Sequence, residues 1–341
     1  MKDGRQNGFI KRAVTRLVRA GSALIGGGSP ILVQSMCATR TQDISATLQQ
    51  IADLNEAGAG LVRVAVDNEA DVEAVCEIRH GTEVPLAVDL QEAYWMVEEL
   101  APFVQKLRYN PGYLSRVDTG RSVKSKVEFI VKHARRHGCA VRIGVNFGSL
   151  GQPSGPNEME EAVAVAVEHA GYMEELGFHN YVVSLKSSDP NEVVAANLRF
   201  AQKFPWVPLH LGVTEAGLLP EAEIKTRAAL EELLSRGVGD TLRVSLTLPH
   251  TRKREEVLIG RKIVEDVYAG KRRTVLPYRC GGLNIIACPS CSRVENEAFY
   301  DLARRVREVS EFAAAYPLTI AVMGCRVNGP GETDDADLGL W

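Results

Sequence analysis

From Pro30 onward, short β-rich apolar runs alternate with stretches whose apolar positions recur at helical spacing, the pattern of a parallel sheet with crossover helices. Eight runs can be marked: Ile31 to Gln34, Leu61 to Val66, Leu86 to Asp89, Val104 to Arg108, Ala140 to Val145, Tyr181 to Leu185, Leu209 to Gly212 and Thr241 to Leu246. Between them lie helical stretches such as Asp43 to Ala57, Ser122 to Arg136, Met159 to Leu176 and Pro220 to Ser235. Eight strand-helix units over this length predict an α/β protein with a closed (β/α)8, TIM-like barrel. An open doubly wound sheet is the alternative, but no G-x-G-x-x-G follows the first strand.

Thr15 to Val18 and Ala23 to Ile25, joined across Ala20-Gly21 and followed by Gly26 to Gly28, predict a hairpin that plugs one end of the barrel. After the eighth run come a long helix, Arg254 to Tyr268, and a break in composition at Ala269 to Arg273. The chain therefore divides into residues 1–268, hairpin plus barrel, and residues 269–341, a small α+β module. The module holds a charged helix from Glu295 to Ala314, a strand Leu318 to Val322 and two cysteine-bearing loops.

Residues on a strand alternate faces, and here the alternation sets polar side chains against apolar ones where a barrel interior is normally apolar. Lys106, Arg108 and Asn110 oppose Leu107 and Tyr109; Arg142, Gly144 and Asn146 oppose Ile143, Val145 and Phe147. Ser184, Lys186 and Ser188 repeat the pattern, as do Arg243, Ser245 and Thr247, and Arg63 sits between Val62 and Val64. Asp89 and Glu215 close their runs. Burying unpaired cations is costly, so Arg63, Lys106, Arg108, Arg142, Lys186 and Arg243 need an anionic partner. A diphosphate fits, because arginine forks match phosphate oxygens and barrel sites lie at the C-terminal strand ends. The plainer alternative is a salt-bridge network that ties the barrel layers together.

The formal net charge of −3 gives no global attraction to nucleic acid or membrane. Seven cysteines, an odd number, argue against a disulfide framework and for a reducing compartment. The basic run from Lys2 to Arg19 lacks the apolar core of a secretory signal, and no segment has the length and apolarity of a membrane span, so a cytoplasmic protein is expected. Three cysteines carry candidate chemistry. Cys288 and Cys291 form a C-x-x-C turn, and Cys325 lies in the loop Met323 to Glu332, rich in glycine and proline. Structural zinc prefers four closed ligands, and no histidine follows His250. An iron-sulfur cluster held by three thiolates would keep one iron open. Glu332 is the nearest candidate for that iron and Cys280 the rival; a simple redox pair is the plainer reading of C-x-x-C.

Taken together, P-I-L-V-Q-S-M at Pro30, L-V-R-V-A-V at Leu61, K-L-R-Y-N-P-G at Lys106, R-I-G-V-N-F-G-S-L at Arg142, V-V-S-L-K-S-S-D at Val182, H-L-G-V-T-E-A-G at His210, G-D-T-L-R-V-S-L-T at Gly239, A-C-P-S-C at Ala287 and M-G-C-R-V-N-G-P-G-E at Met323 resemble the 4-hydroxy-3-methylbut-2-enyl diphosphate synthase family. These are iron-sulfur enzymes of the non-mevalonate isoprenoid pathway. The resemblance implies reductive ring opening and dehydration of 2-C-methylerythritol 2,4-cyclodiphosphate, with electrons delivered one at a time through a [4Fe-4S] cluster. It implies that Cys288, Cys291 and Cys325 bind three irons and that Glu332 holds the fourth until substrate oxygen displaces it. Glu215 matches the acid/base carboxylate, and Arg63, Asp89, Arg108, Asn110, Arg142, Asn146, Lys186, Arg243 and Ser245 match the substrate site. The family further implies flavodoxin or ferredoxin as electron donor, and a homodimer in which the cluster module of one subunit closes over the barrel of the other.

The chain departs from that pattern in the loop Cys37 to Thr41, where a base replaces an acid, and from Gln91 to Trp95, where a histidine and an arginine are lost. Ser292 replaces the usual glycine, and the family continues past the position of Trp341, so a shortened or divergent member is expected. Two alternatives follow. One is a paralogue that uses its cluster on another phosphorylated substrate or in electron transfer or sensing; the other is a zinc-stabilised phosphate-binding barrel of the pterin-synthase sort.

Overall fold

The computed structural model describes residues 12–150, 158–274, 276–278, 281–294, 296, 298–325, 329 and 336–341. Strands β1 (Val18–Ala20) and β2 (Ala23–Ile25) form the antiparallel hairpin, with Gly21 in the left-handed conformation its turn needs. Its first strand begins three residues later than the expected Thr15, because the lead-in bonds elsewhere: Arg16 N donates to Trp206 O, and Thr15 O accepts from Gly27 N. Val18, Ala20, Ala23 and Ile25 are buried against Leu61, Ala87, Ala140 and Val182, so the hairpin stoppers the end of the barrel where strands begin.

Eight parallel strands follow: β3 (Leu32–Met36), β4 (Leu61–Ala65), β5 (Leu86–Asp89), β6 (Lys106–Tyr109), β7 (Ala140–Asn146), β8 (Tyr181–Lys186), β9 (His210–Leu211) and β10 (Thr241–Leu242). They lie in the order β8-β7-β6-β5-β4-β3-β10-β9, and a parallel bridge between Val183 and Leu209 closes the ring. All eight expected runs are strands. The last is shorter than the expected Thr241 to Leu246, because beyond Arg243 the backbone turns outward: Leu246 N donates to the Glu256 carboxylate and Thr247 N to Gly217 O.

The helical stretches begin where side-chain oxygens cap them. Asp43 accepts from Ala46 N ahead of helix Ile44–Glu56, and Ser122 from Ser125 N ahead of Val123–His137. Both caps had been counted as the first helical residue. A single large apolar core fills the space between strands and helices.

The C-terminal module is a parallel sheet of β11 (Asn284–Ala287), β12 (Thr319–Val322) and β13 (Leu338–Leu340), with helix Ala298–Val309 packed on it. That helix is shorter than expected, since a turn at Glu311–Ala313 follows it; Glu295 and Glu297 lie outside the described residues. Strand β13 was not anticipated, its leucines being exposed and its run only three residues long.

The connection between the two parts is held down rather than loose. Glu231, fully buried, accepts from Arg273 N, Thr274 N and Thr274 Oγ1 and pairs with Arg227 at 3.0 Å. Farther on, Asn191 and Tyr278 exchange side-chain-to-backbone bonds of 2.9 Å in both directions. Glu231→Ala, which would strand these donors, is expected to lower unfolding free energy by about 3 kcal/mol, and Glu231→Gln by clearly less, measured by chemical denaturation.

Candidate active site

The strand register assembles the site. Asp89 lies opposite Arg108, Arg108 opposite Arg142, Met36 opposite Arg63 and Asn146 opposite Lys186, so polar residues of neighbouring strands share layers at the C-terminal rim. Asp89 organises them. Its Oδ1 accepts from Arg108 Nη1 at 2.9 Å, and its Oδ2 faces Arg63 at 3.7 Å and Arg293 at 3.6 Å. Arg108 also donates to Gln91 Oε1 and Gly144 O. Gly144 is required by this packing, because a Cβ there would meet Arg108 Nε at 2.3 Å; one on Gly212 would meet Lys186 Nζ at 2.8 Å.

The resulting cavity is lined by six cations, Arg63, Arg108, Arg142, Lys186, Arg243 and Arg293, and one carboxylate, Asp89, together with Asn146, Ser184, Thr214, Ser245 and Cys291. Arg108 Nε, Arg142 Nε and Nη1, and Arg243 Nε and Nη2 are buried without a hydrogen-bond partner. Arg63 spends two donors on the weak acceptor Met36 Sδ. Burial and the neighbouring cations push Arg142 and Lys186 well below their usual range, and Arg63 down to about 9. Burial alone would raise the Asp89 carboxyl, but Arg108, Arg63 and Arg293 hold it far below the ordinary carboxylate value.

The module roofs this cavity within the chain. Thr247 Oγ1 donates to Ala287 O and Cys288 O, Lys253 Nζ to Pro289 O at 2.7 Å, and Ser292 N to Cys37 O. Cys291 packs on Met36 and Ala65, and Ala216 bridges to Ala287. Cys288, Cys291 and Cys325 are all buried; Cys288 feels the other two thiols, and backbone N-H groups of Ser290 and Gly324 point at its sulfur. Burial raises the Cys288 thiol strongly, so a metal would displace a proton there. Soft thiols with amide donors facing sulfur fit an iron-sulfur cluster. Among the described residues, no three His, Cys, Asp or Glu groups converge as a single ion requires.

Of the expected substrate residues, Arg63, Asp89, Arg108, Arg142, Asn146, Lys186, Arg243 and Ser245 line the cavity. Asn110 does not. It is fully buried, caps helix Pro111–Arg116 and donates to Ser149 Oγ, which in turn donates to Asn146 O. Lys106 also lies outside the cavity lining, its Nζ facing Gln34 Oε1 at 3.3 Å. Glu215 is buried one residue beyond the cavity-lining Thr214, with φ of 51°. Glu332 and Cys280 lie outside the described residues. Arg293, Gln91 and the buried Lys253-Glu256 pair were missed. Arg293 had one available signal, a cation two positions after a ligand cysteine.

A closed α/β barrel gathers buried cations with unsatisfied donors at its rim beneath a cysteine-bearing roof, an arrangement suited to an anionic ligand. The chain matches the family description GcpE TIM-barrel domain over residues 15–261 and GcpE protein C-terminal domain over residues 284–341. It is 54% identical to 4-hydroxy-3-methylbut-2-en-1-yl diphosphate synthase (flavodoxin) of Rhodopirellula baltica, covering 97% of this chain and 88% of that protein. It is 41% identical to the protein of that name from an Arthrobacter species, covering 96% and 81%. The chain belongs to the 4-hydroxy-3-methylbut-2-en-1-yl diphosphate synthase family. Among solved structures, dihydropteroate synthases from Burkholderia cenocepacia (TM-score 0.55, 14% identity, 75% of this chain and 96% of that one) and Yersinia pestis (TM-score 0.52, 13% identity, 74% and 98%) share the barrel fold.

Two outcomes follow from the unpaired charge. Arg142→Met should raise the melting temperature of the metal-free protein, by about 1–3 kcal/mol in stability, while abolishing pyrophosphate binding by calorimetry. Lys106 and Lys186 titrate below the 10.5 of a free lysine, so the unfolded chain binds more protons than the folded one in that interval. Stability of the anion-free protein should therefore rise with pH toward 10.5, and saturating pyrophosphate should flatten the slope, as read by denaturation at several pH values.

Proposed function

We propose that the protein catalyses reductive ring opening and dehydration of 2-C-methylerythritol 2,4-cyclodiphosphate to 4-hydroxy-3-methylbut-2-enyl diphosphate. The observation that carries this reading is the set of buried guanidinium nitrogens without partners on Arg108, Arg142 and Arg243, in a cavity that Cys291 helps to line. Arg63, Arg108, Arg142, Lys186 and Arg243 bind the diphosphate, with Asn146 and Ser245 supplying neutral contacts. Asp89 orients the guanidinium groups, and Asn110 supports Asn146 through Ser149 instead of meeting substrate.

Cys288, Cys291 and Cys325 hold a [4Fe-4S] cluster, with Glu332 as the exchangeable fourth ligand; when bound, the cluster supplies electrons singly to the substrate. Glu215 holds the proton that leaves with the departing hydroxyl as water. Its backbone supports a catalytic role: of the four described non-glycine residues with positive φ, Gln91 lines the cavity, Glu215 follows cavity-lining Thr214 and Ser290 lies between the two roof cysteines, while Asp118 lies elsewhere. Such strain in non-glycine residues is retained where surrounding structure holds it. The seating of the roof excludes water from the cavity.

The reading takes residues 1–268 as the substrate-binding unit and 269–341 as the cluster-binding unit. The electron donor is a flavodoxin, as the relatives' names specify, or a ferredoxin; the setting is cytoplasmic, and the protein is a homodimer. Among the described residues, no helix is long and apolar enough to cross a membrane.

Anaerobically reconstituted protein with reductant and the cyclodiphosphate is expected to release the hydroxymethylbutenyl product. A full cluster without product ends the reading, and zinc without iron or sulfide replaces it with a phosphate-binding barrel. Cys325→Ser should lose iron, whereas Glu332→Ala should keep a cluster that decays faster in air; equal loss in both would make Glu332 a structural ligand.

A further inference from the structure

Arg293 stands apart from the residues assigned above, because it belongs to the module yet its charge is satisfied by the barrel. It follows Cys291 by two positions, and its side chain is 7% exposed. Nε donates to Asp67 Oδ1 at 2.8 Å and Oδ2 at 3.1 Å, and Nη2 donates to Asp89 O at 3.3 Å. Nη1 faces Asp89 Oδ2 at 3.6 Å, while Arg108 holds the other oxygen, Oδ1, at 2.9 Å. One carboxylate is thus shared between the roof and the cavity. Asp67 follows β4 and Asp89 ends the adjacent β5, so the guanidinium spans two points of the rim.

We propose that Arg293 is a positioning residue: through Asp67 and Asp89 it seats the Cys288–Cys291 loop on the barrel rim, in register with the guanidinium groups of the cavity. Farther from the cysteine loop, Arg307 of the module also meets a barrel carboxylate, Glu221, at 2.8 Å; the contacts at the cysteine loop itself are of a different kind. Thr247 and Lys253 donate to backbone carbonyls of Ala287, Cys288 and Pro289, and these carbonyls could slide along such donors. With Nε on the Asp67 carboxylate, Nη2 on Asp89 O and Nη1 facing Asp89 Oδ2, the planar guanidinium is constrained in both distance and angle. The inference rests on the proposed function for its purpose, the placing of the cluster loop over substrate. The contact itself exists without either.

The test therefore uses no substrate and no turnover. Two backbone amides near the cysteines report different things: Ser292 N bonds across the interface to Cys37 O, whereas Cys288 N bonds within the module to Val322 O. In hydrogen exchange of the full chain, Asp67→Asn and Arg293→Gln should each speed exchange at Ser292 by about ten-fold and leave Cys288 and β12 unchanged. Arg293→Lys, which keeps the charge but loses the fork, should fall between. Exchange at Ser292 unchanged in both Asp67→Asn and Arg293→Gln overturns the proposal. Faster exchange at Cys288 and β12 as well, in Asp67→Asn, would show that the pair holds the fold of the module and would overturn it too. Neither result bears on whether the reconstituted enzyme makes the expected product.

Discussion

The structure depends on one constraint, positive charge buried at a barrel rim with too little negative charge to answer it. Six cations line the cavity and Asp89 is the sole carboxylate among its lining residues. In a medium of low polarity each such charge costs several kcal/mol unless it is paired. The chain meets this cost with an apolar core that runs around the whole barrel, and with glycine where the guanidinium of Arg108 needs room. Asp89 is then less a ligand than a hub, since Arg63, Arg108 and Arg293 all orient on it. The unsatisfied donors of Arg108, Arg142 and Arg243 are therefore suited to a multiply charged anion. Such a site is preorganised for an anion and needs little rearrangement when one arrives.

The module shows the complementary economy. Its core includes Leu218 from the barrel side, and β11 is tied to Ala216, so part of its apolar surface is buried only when it is seated. A unit this small gains little from its own core, so docking on the barrel is a main stabilising contribution and a bound cluster would add to it. Seating and ligation therefore act on the same few residues. Cys291 is at once a candidate ligand, a packing partner of Met36 and Ala65, and a wall of the cavity.

Much of this was legible because strand alternation is a strict rule. Once Lys106 and Arg108, Arg142 and Asn146, and Arg243 and Ser245 were seen to share faces with polar neighbours, their convergence at a barrel rim followed from closure of the sheet. What alternation cannot show is depth. Lys106 and Arg108 lie on one face of β6, yet only Arg108 reaches the cavity, since Lys106 is two residues nearer the plugged end and meets Gln34. Nor can alternation show that beyond the last strand residue the backbone enters a helix, where the Asn110 side chain serves as its cap. The interface roles of Arg293 and Lys253 were not legible because the groups they meet there, Asp67 and Pro289 O, lie far away in sequence. Motif resemblance supplied the candidate ligand cysteines but not what their loop rests on.

The seating of the module on its own barrel bears on the homodimer. Every contact across this interface joins barrel to module, so two chains could exchange modules and keep all of them, as in a domain swap. The connection limits that exchange. Arg272, Arg273 and Thr274 are fixed to Glu232, Asp266 and Glu231, and Tyr278 is fixed to Asn191, all on the barrel's outer helices. From Tyr278 to the start of β11 at Asn284 the fully extended chain reaches about 20 Å. With these anchors intact, a module can cap a partner only if the partner's rim lies within that reach. A dimer with more distant rims must first break the Tyr278 and Thr274 contacts, and the buried Glu231 would then lose three of its donors at once. Closure within one chain keeps all of these anchors.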